Sequence, residues 1–133
     1  MGMTTKNGGP LRVHNATRGT ELVDDGRVAD DVRTRLVGLI GSPPLEPGQG
    51  LLIVPCSSIH MFFMGFAIDA VYLDGDCRVV GLDEGLRPWR IGRLFRGARY
   101  VLELPVGTIA STGTHLGDRL ALEGYALAGA PRG

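Results

Sequence analysis

Residues 55–64 combine the residue types best suited to chemistry in this chain. Their sequence is PCSSIHMFFM. Alternate side chains of an extended chain point the same way, so one face would collect a thiol, a hydroxyl and an imidazole together with apolar groups. That face carries Cys56, Ser58, His60, Phe62 and Met64. The spacing predicts a ligand-binding groove around residues 55–64.

Cys56 and His60 would be neighbours on a helix as well, because they lie four residues apart. A thiol beside an imidazole can act as a nucleophile with a base, since the imidazole lowers the thiol pKa. The competing interpretation is a buried cysteine beside a structurally hydrogen-bonded histidine. No third residue that would orient the pair is identifiable. We therefore expect a structural pair, with His60 buried and its pKa below about 6.5.

Two other kinds of site have less support in the sequence. A triad of Ser58, His60 and Asp69 lacks the Gly-x-Ser-x-Gly elbow, and Asp69 could equally pin a turn or pair with an arginine. A metal site would need Cys56 and His60 to recruit a distant histidine, and two ligands at this spacing are too few for zinc. We expect no metal and no cofactor.

The two cysteines, Cys56 and Cys77, could form a disulfide. No secretory signal pattern opens the chain, which favours free thiols and a cytoplasmic location.

Residues 87–99, the arginine segment, contain five arginines, no acidic residue and the single tryptophan of the chain. Arginine beside tryptophan can stack on a flat group and bind an anion at the same time. Arg87, Trp89 and Arg90 are therefore candidates for binding a small anionic or ring-bearing ligand or a protein segment. The alternative is a solvated loop whose arginines pair with the nearby carboxylates at positions 74, 76, 83 and 84.

Composition excludes several classes of protein. Lys and Arg number 14 and Asp and Glu also 14 among 133 residues, so the net charge is zero. Binding to nucleic acid through the field of the whole molecule is therefore not expected. The apolar runs are too short to span a membrane. Glu103 is a lone carboxylate in an apolar stretch, facing solvent or paired with an arginine.

The elements expected from the pattern are mostly strands. With 21 Gly and 8 Pro, the chain is rich in turns, which favours a β-rich domain. Apolar residues at 28, 32, 36 and 39 predict one main helix over residues 28–40. Asp24-Asp25-Gly26 indicates a turn, and a helical turn is expected within 105–112. Strands are expected at 11–16, 20–23, 51–54, 66–73, 77–82, 99–104 and 119–123.

The domain boundaries follow from the polar and small-residue ends. Residues 1–9 read as a disordered N-terminal segment and residues 124–133 as a flexible tail. Residues 10–123 are expected to form one domain.

An ordered set of short motifs resembles a known family. It runs Gly38-Leu39-Ile40-Gly41, Pro44-Leu45, Val54-Pro55-Cys56, Ile59-His60, Phe62-Phe63-Met64, Ile68-Asp69, Arg87-Pro88-Trp89, Leu102-Glu103-Leu104-Pro105 and Gly117-Asp118. This set resembles the DUF192, or UPF0127, family over about residues 11–122. The resemblance implies a single compact α+β domain with a strongly bent, barrel-like and mainly antiparallel sheet. It implies no established activity, and some relatives are exported or encoded near pilus or secretion machinery.

The resulting hypothesis is a non-catalytic binding module with a groove around residues 55–64. One alternative is a Cys/His-dependent enzyme of hydrolase or transferase type, with Cys56 as nucleophile and His60 as base. Another alternative, which rests on the resemblance alone, is a structural accessory of a pilus or secretion system.

Overall fold

Strands dominate the computed structural model, which describes residues 10–30, 41–56, 61 and 64–125. The strands are β1 (Leu11–Asn15), β2 (Thr20–Ala29), β3 (Gln49–Ile53), β4 (Ile68–Leu73), β5 (Val79–Leu86), β6 (Tyr100–Leu104) and β7 (Leu120–Glu123). One short helix, α1 (Thr108–Thr112), lies between β6 and β7. The predicted N-terminal segment, residues 1–9, and all of the predicted tail at 124–133 except Gly124 and Tyr125 lie outside the described residues.

The strands form one curled sheet in the order β5-β4-β6-β3-β2-β1-β7. Only β2 and β3 pair in parallel among these strands, and the other pairs are antiparallel. The two edges of the sheet meet at one end, where the backbone N–H of Leu120 donates to the carbonyl of Cys77 at 2.9 Å. The backbones of Arg78 and Arg119 also pair there, in an isolated antiparallel β-bridge. The sheet is therefore a half-barrel, and the expected bent, mainly antiparallel α+β domain is confirmed.

Both faces of the central strands are buried, which explains why β4 and β6 are apolar almost without interruption. Tyr100, Leu102 and Leu104 point into one apolar cluster with residues of β1, β2, α1 and β7. Val101 points into a second cluster on the opposite face. Met61 and Met64 pack in that second cluster.

The predicted helix does not begin at residue 28. Val28 and Ala29 are the last residues of β2, where they pair with Leu52 and Ile53 of β3. A distant strand therefore determines their conformation in place of the local helical period. The rest of the predicted helix, residues 31–40, lies outside the described residues.

The predicted turn at Asp24-Asp25-Gly26 is wrong, because β2 continues through it. Gly26 pairs with Leu11, whereas Val23 pairs with Val13, so β2 carries one extra residue here. Such an extra residue is a β-bulge. A Cβ on Gly26 would press against Val23 and Leu11, which explains the glycine.

A buried polar network joins the turn after β1 to the segment before β7. The Asn15 side-chain amide donates to the Asp118 carboxylate at 2.9 Å and to the Thr114 hydroxyl at 3.2 Å. The Arg18 guanidinium donates to both oxygens of Asp118, at 2.9 and 3.1 Å. The backbone N–H of His115 donates to the same carboxylate. The hydrogen bond from Arg18, with those from Asn15 and His115, lowers the pKa of Asp118 to about 2.

Candidate binding surface

The arginine segment leaves β5 and is fixed at its start by main-chain hydrogen bonds. The N–H of Trp89 donates to the carbonyl of Met61 at 2.7 Å, and the N–H of Met61 donates to the carbonyl of Arg90 at 2.6 Å. Trp89 has a φ of 67°, a left-handed conformation that is rare for a bulky residue. Met61 is fully buried, so this pair of bonds ties the exposed segment to the core. Strained backbone of this kind occurs most often at functional positions.

Charged and polar contacts fix the middle of the segment to β5. The Arg93 guanidinium and the Tyr72 hydroxyl both donate to the Asp83 carboxylate, at 2.9 and 2.8 Å. Arg93 also donates to the carbonyl of Leu82. Burial and the bond to Asp83 raise the pKa of Tyr72 well above its usual value, so the phenol stays a donor. This ion pair is the one expected arginine–carboxylate contact present among the described residues.

An aromatic contact completes the attachment. The rings of Phe95 and Tyr72 lie 4.5 Å apart between centroids, and the Arg93 guanidinium lies 5.0 Å from the Phe95 centroid. A Cβ on Gly81 would overlap the Phe95 ring. Gly81 therefore leaves the space on β5 that Phe95 occupies.

Large apolar side chains nevertheless remain in solvent along this fixed segment. Trp89 is 60% exposed, Ile91 66% and Leu94 76%. Single exposed apolar residues are ordinary, but three within six positions of a fixed segment form a patch of the kind that marks interaction sites. Exposure of the Trp89 ring is one requirement of the predicted binding role; the other, a position within reach of His60 or Phe62, involves residues outside the described ranges.

Four arginines of the segment, all exposed, have no carboxylate partner in the described part of the chain. They are Arg87, Arg90, Arg96 and Arg99. Pairing with neighbouring carboxylates, the alternative interpretation, therefore accounts for Arg93 alone. The patch therefore places exposed positive charge next to exposed apolar side chains.

Cys56 lies at the other end of the segment. An open pocket of about 400 Å³ is lined by Pro55, Cys56, Ala98, Arg99 and Tyr100. The backbone N–H of Cys56 donates to the carbonyl of Arg99 at 2.6 Å.

Cys56 and Cys77 are not joined by a disulfide, as the sequence predicts, and they differ in exposure. Cys56 is half-buried and Cys77 buried. Burial raises the pKa of the Cys77 thiol to about 11.

Met64 and Asp69 take part in packing. Met64 is buried in the second apolar cluster. Asp69 is 1% exposed, and its carboxylate accepts hydrogen bonds from the backbone N–H groups of Gly85, Gly107 and Ile109, at 2.9, 3.1 and 3.0 Å. This carboxylate fixes the loop before α1, where Gly107 has a positive φ of 95°. The geometry is that of a residue that pins a turn.

Glu103 occupies the centre of the sheet, paired across strands with Leu51 and Ala70. It is 5% exposed, and its Oε1 atom has no hydrogen-bond partner among the described residues. Burial raises its pKa to about 8. The sequence-based expectation that Glu103 faces solvent is wrong, and no arginine among the described residues forms an ion pair with it.

Three predicted groove residues, Ser58, His60 and Phe62, lie outside the described residues, so the groove stays a prediction. Among the described side chains, no three His, Cys, Asp or Glu lie close enough to hold a metal ion together. Within the same ranges, no helix has the length and apolar character needed to cross a bilayer.

Sequence reasoning missed the exposed Ile91 and Leu94. A signal for them exists, because neither residue fits a strand or helix period and both stand between arginines and glycines. It also missed the burial of Glu103, since one carboxylate in a strand is usually on a solvent face.

Comparison with known proteins gives a consistent result. The model of the DUF192 family, described as "Uncharacterized ACR", matches residues 13–122. A UPF0127 protein of Thermococcus sibiricus is 35% identical over 82% of this chain and 73% of its own length. A UPF0127 protein of Pyrococcus furiosus is 34% identical over 80% of this chain and 93% of its own. A crystal structure of a protein of unknown function from Novosphingobium aromaticivorans shares the fold, with a TM-score of 0.73 at 19% identity over 87% of this chain and 88% of that one.

Proposed function

The chain belongs to the DUF192 family, and we propose that it is a non-catalytic binding module that holds an anionic, ring-bearing or apolar partner against the arginine segment. The supporting observation is that this segment is fixed to the core and still exposes Trp89, Ile91 and Leu94. Exposed apolar area that folding does not bury is available to a partner.

Fixation matters because it reduces the entropy lost on binding. Ordering a flexible loop costs about 0.5–1.5 kcal/mol for each immobilised side chain. Here hydrogen bonds to Met61 and Asp83 and the ring contact between Phe95 and Tyr72 hold the backbone in place beforehand. The four arginines that have no carboxylate partner in the described part of the chain then supply attraction for an anion at little additional ordering cost.

The groove around residues 55–64 belongs to the same proposal. Met61 joins that stretch to Trp89 and Arg90 through two main-chain hydrogen bonds. We propose that Ser58, His60 and Phe62 line the groove beside the arginine segment, with Arg87, Trp89 and Arg90 at its rim. Asp69 takes no part, because its carboxylate is already occupied by three backbone donors.

The test uses the single tryptophan as a reporter. The protein, labelled with ¹⁵N, is titrated with 2-naphthalenesulfonate, a ring-bearing anion, and the indole N–H resonance of Trp89 is followed by NMR. We expect a saturable shift, and a smaller one with the neutral 2-naphthalenemethanol. Arg90→Gln should weaken binding by up to about fivefold, the usual upper range for one exposed charge pair.

Arg27→Gln is the matched control, since Arg27 is also exposed but lies on β2 away from the segment. It should leave the titration unchanged. Absence of any saturable shift at Trp89, or equal weakening by both arginine variants, would contradict the proposed function.

A further inference from the structure

The exposed fractions of the apolar side chains limit what kind of partner can cover them. A small molecule binds well when protein surrounds about 70–90% of its surface. Trp89, Ile91 and Leu94, at 60–76% exposure, are not enclosed by the protein on their outer sides. A chain segment of another protein has enough bulk to cover all three side chains at once.

The chemistry of the patch sets the composition of that segment. Tryptophan and arginine are the residues most often found at the energetic centres of protein–protein interfaces. Aliphatic side chains at Ile91 and Leu94 match apolar groups of a partner. The exposed guanidinium groups of Arg87, Arg90, Arg96 and Arg99, which form no ion pair with a described carboxylate, match carboxylates of a partner. We propose that the partner of the arginine segment is an acidic segment of another protein that carries large apolar side chains. This inference rests on the proposed function.

Nucleic acid fits the same surface less well. Single-stranded nucleic acid is bound by aromatic side chains on which successive bases stack, whereas two of the three exposed apolar residues here are aliphatic. The net charge of the chain is zero, so the field of the whole molecule does not attract a long, uniformly charged phosphate backbone.

The test is selection of random 12-residue peptides displayed on phage against the immobilised full chain. Enriched peptides should carry net negative charge and at least two large apolar residues. One enriched peptide is then synthesised and titrated while Trp89 fluorescence is followed. We expect its dissociation constant to rise at least tenfold between 50 and 500 mM NaCl, because the charges are exposed.

Two variants locate the site. Trp89→Gly removes the ring while suiting the left-handed backbone at this position. Binding of the fluorescently labelled peptide to this variant should fall at least tenfold, whereas Arg27→Gln should leave it unchanged. Circular dichroism on each variant checks that the fold is retained.

Three results would overturn the inference. They are enrichment of neutral or basic peptides, peptide binding that Trp89→Gly leaves intact, and tighter binding of a 12-nucleotide single-stranded DNA than of the acidic peptide. If 2-naphthalenesulfonate binds at Trp89 and no acidic peptide does, this inference fails while the proposed function stands. If neither binds, both fail.

Discussion

Replacing Glu103 with glutamine should make the protein more stable in neutral and mildly alkaline solution. The Glu103 side chain is 5% exposed on β6, an inner strand of the sheet, and its Oε1 atom has no hydrogen-bond partner among the described residues. Burial disfavours the charged form and raises the pKa of this carboxyl from 4.5 to about 8. Glutamine has the same shape as the protonated acid but no proton to release.

The pKa shift determines the sign and size of the expected change in stability with pH. As the pH rises above about 4.5 the unfolded chain releases the Glu103 proton, whereas the folded chain keeps it until about pH 8. The folded state binds more protons in this window, so the free energy of unfolding falls as the pH rises. At about 1.4 kcal/mol for each pKa unit, the free energy of unfolding of the wild type falls by about 4–5 kcal/mol between about pH 4.5 and pH 8. Below about pH 4.5 the contribution is fully present.

Urea unfolding followed by far-ultraviolet circular dichroism measures the effect. At pH 4.5 the wild type and Glu103→Gln should have similar free energies of unfolding, and at pH 8 the variant should be more stable by about 4 kcal/mol. Glu21→Gln, at an exposed position on β2, is the matched control and should show no such gap. A constant difference between wild type and Glu103→Gln from pH 4.5 to pH 8 would refute the reasoning.

Three further predictions concern other parts of the molecule. Asp118→Asn should lower the free energy of unfolding by about 2 kcal/mol at pH 7, because it weakens a charged hydrogen-bond network. The difference between wild type and variant in urea unfolding should close as the pH falls from about 4 to about 2. A difference that does not depend on pH would contradict this prediction. With Ellman's reagent at pH 7.5, Cys56 should react in the folded protein and Cys77 only after unfolding, so Cys56→Ser should abolish the early phase; fast reaction of both thiols would contradict this. Gly81→Ala should displace Phe95 and lower the melting temperature by several degrees. If the heteronuclear NOE (¹H–¹⁵N) across the arginine segment stays unchanged in this variant, the Phe95 contact does not hold the segment in place.

Much of the sheet is predictable from local sequence. Asp74-Gly75-Asp76 is the turn between β4 and β5, where the Asp74 carboxylate accepts hydrogen bonds from the N–H groups of Asp76 and Arg78. Side chains that bond to nearby backbone make such turns readable without a structure. The positive φ of Gly107 and Gly117 is also predictable locally, because glycine lacks the Cβ that disfavours this conformation.

Other features depend on partners far away in the sequence. Val28 and Ala29 have a helical apolar spacing with later residues, but hydrogen bonds to β3, more than twenty residues on, hold them as strand. The glycine of Asp24-Asp25-Gly26 marks a bulge because Leu11 lies against it. Neither neighbour can be identified from local propensity, which tertiary contacts override.

The candidate site also has a part that could be predicted from the sequence and a part that could not. The arginine segment is visible in the sequence from its charge and its tryptophan, so its chemistry could be predicted. Its attachment could not, because Tyr72, Gly81 and Asp83 come from two strands earlier in the chain and meet Arg93 and Phe95 only in the folded sheet.

The arginine segment presents different residues to the protein and to solvent, and this separates its stability from its binding. Arg93 and Phe95 face the sheet and hold the segment in place. Trp89, Ile91 and Leu94 face solvent, where folding gives them little burial. Loss of an inward contact should therefore lower stability first and binding only through disorder of the segment. Loss of an outward side chain should weaken binding while the unfolding transition stays almost unchanged, and that combination distinguishes a recognition surface from an incompletely packed core.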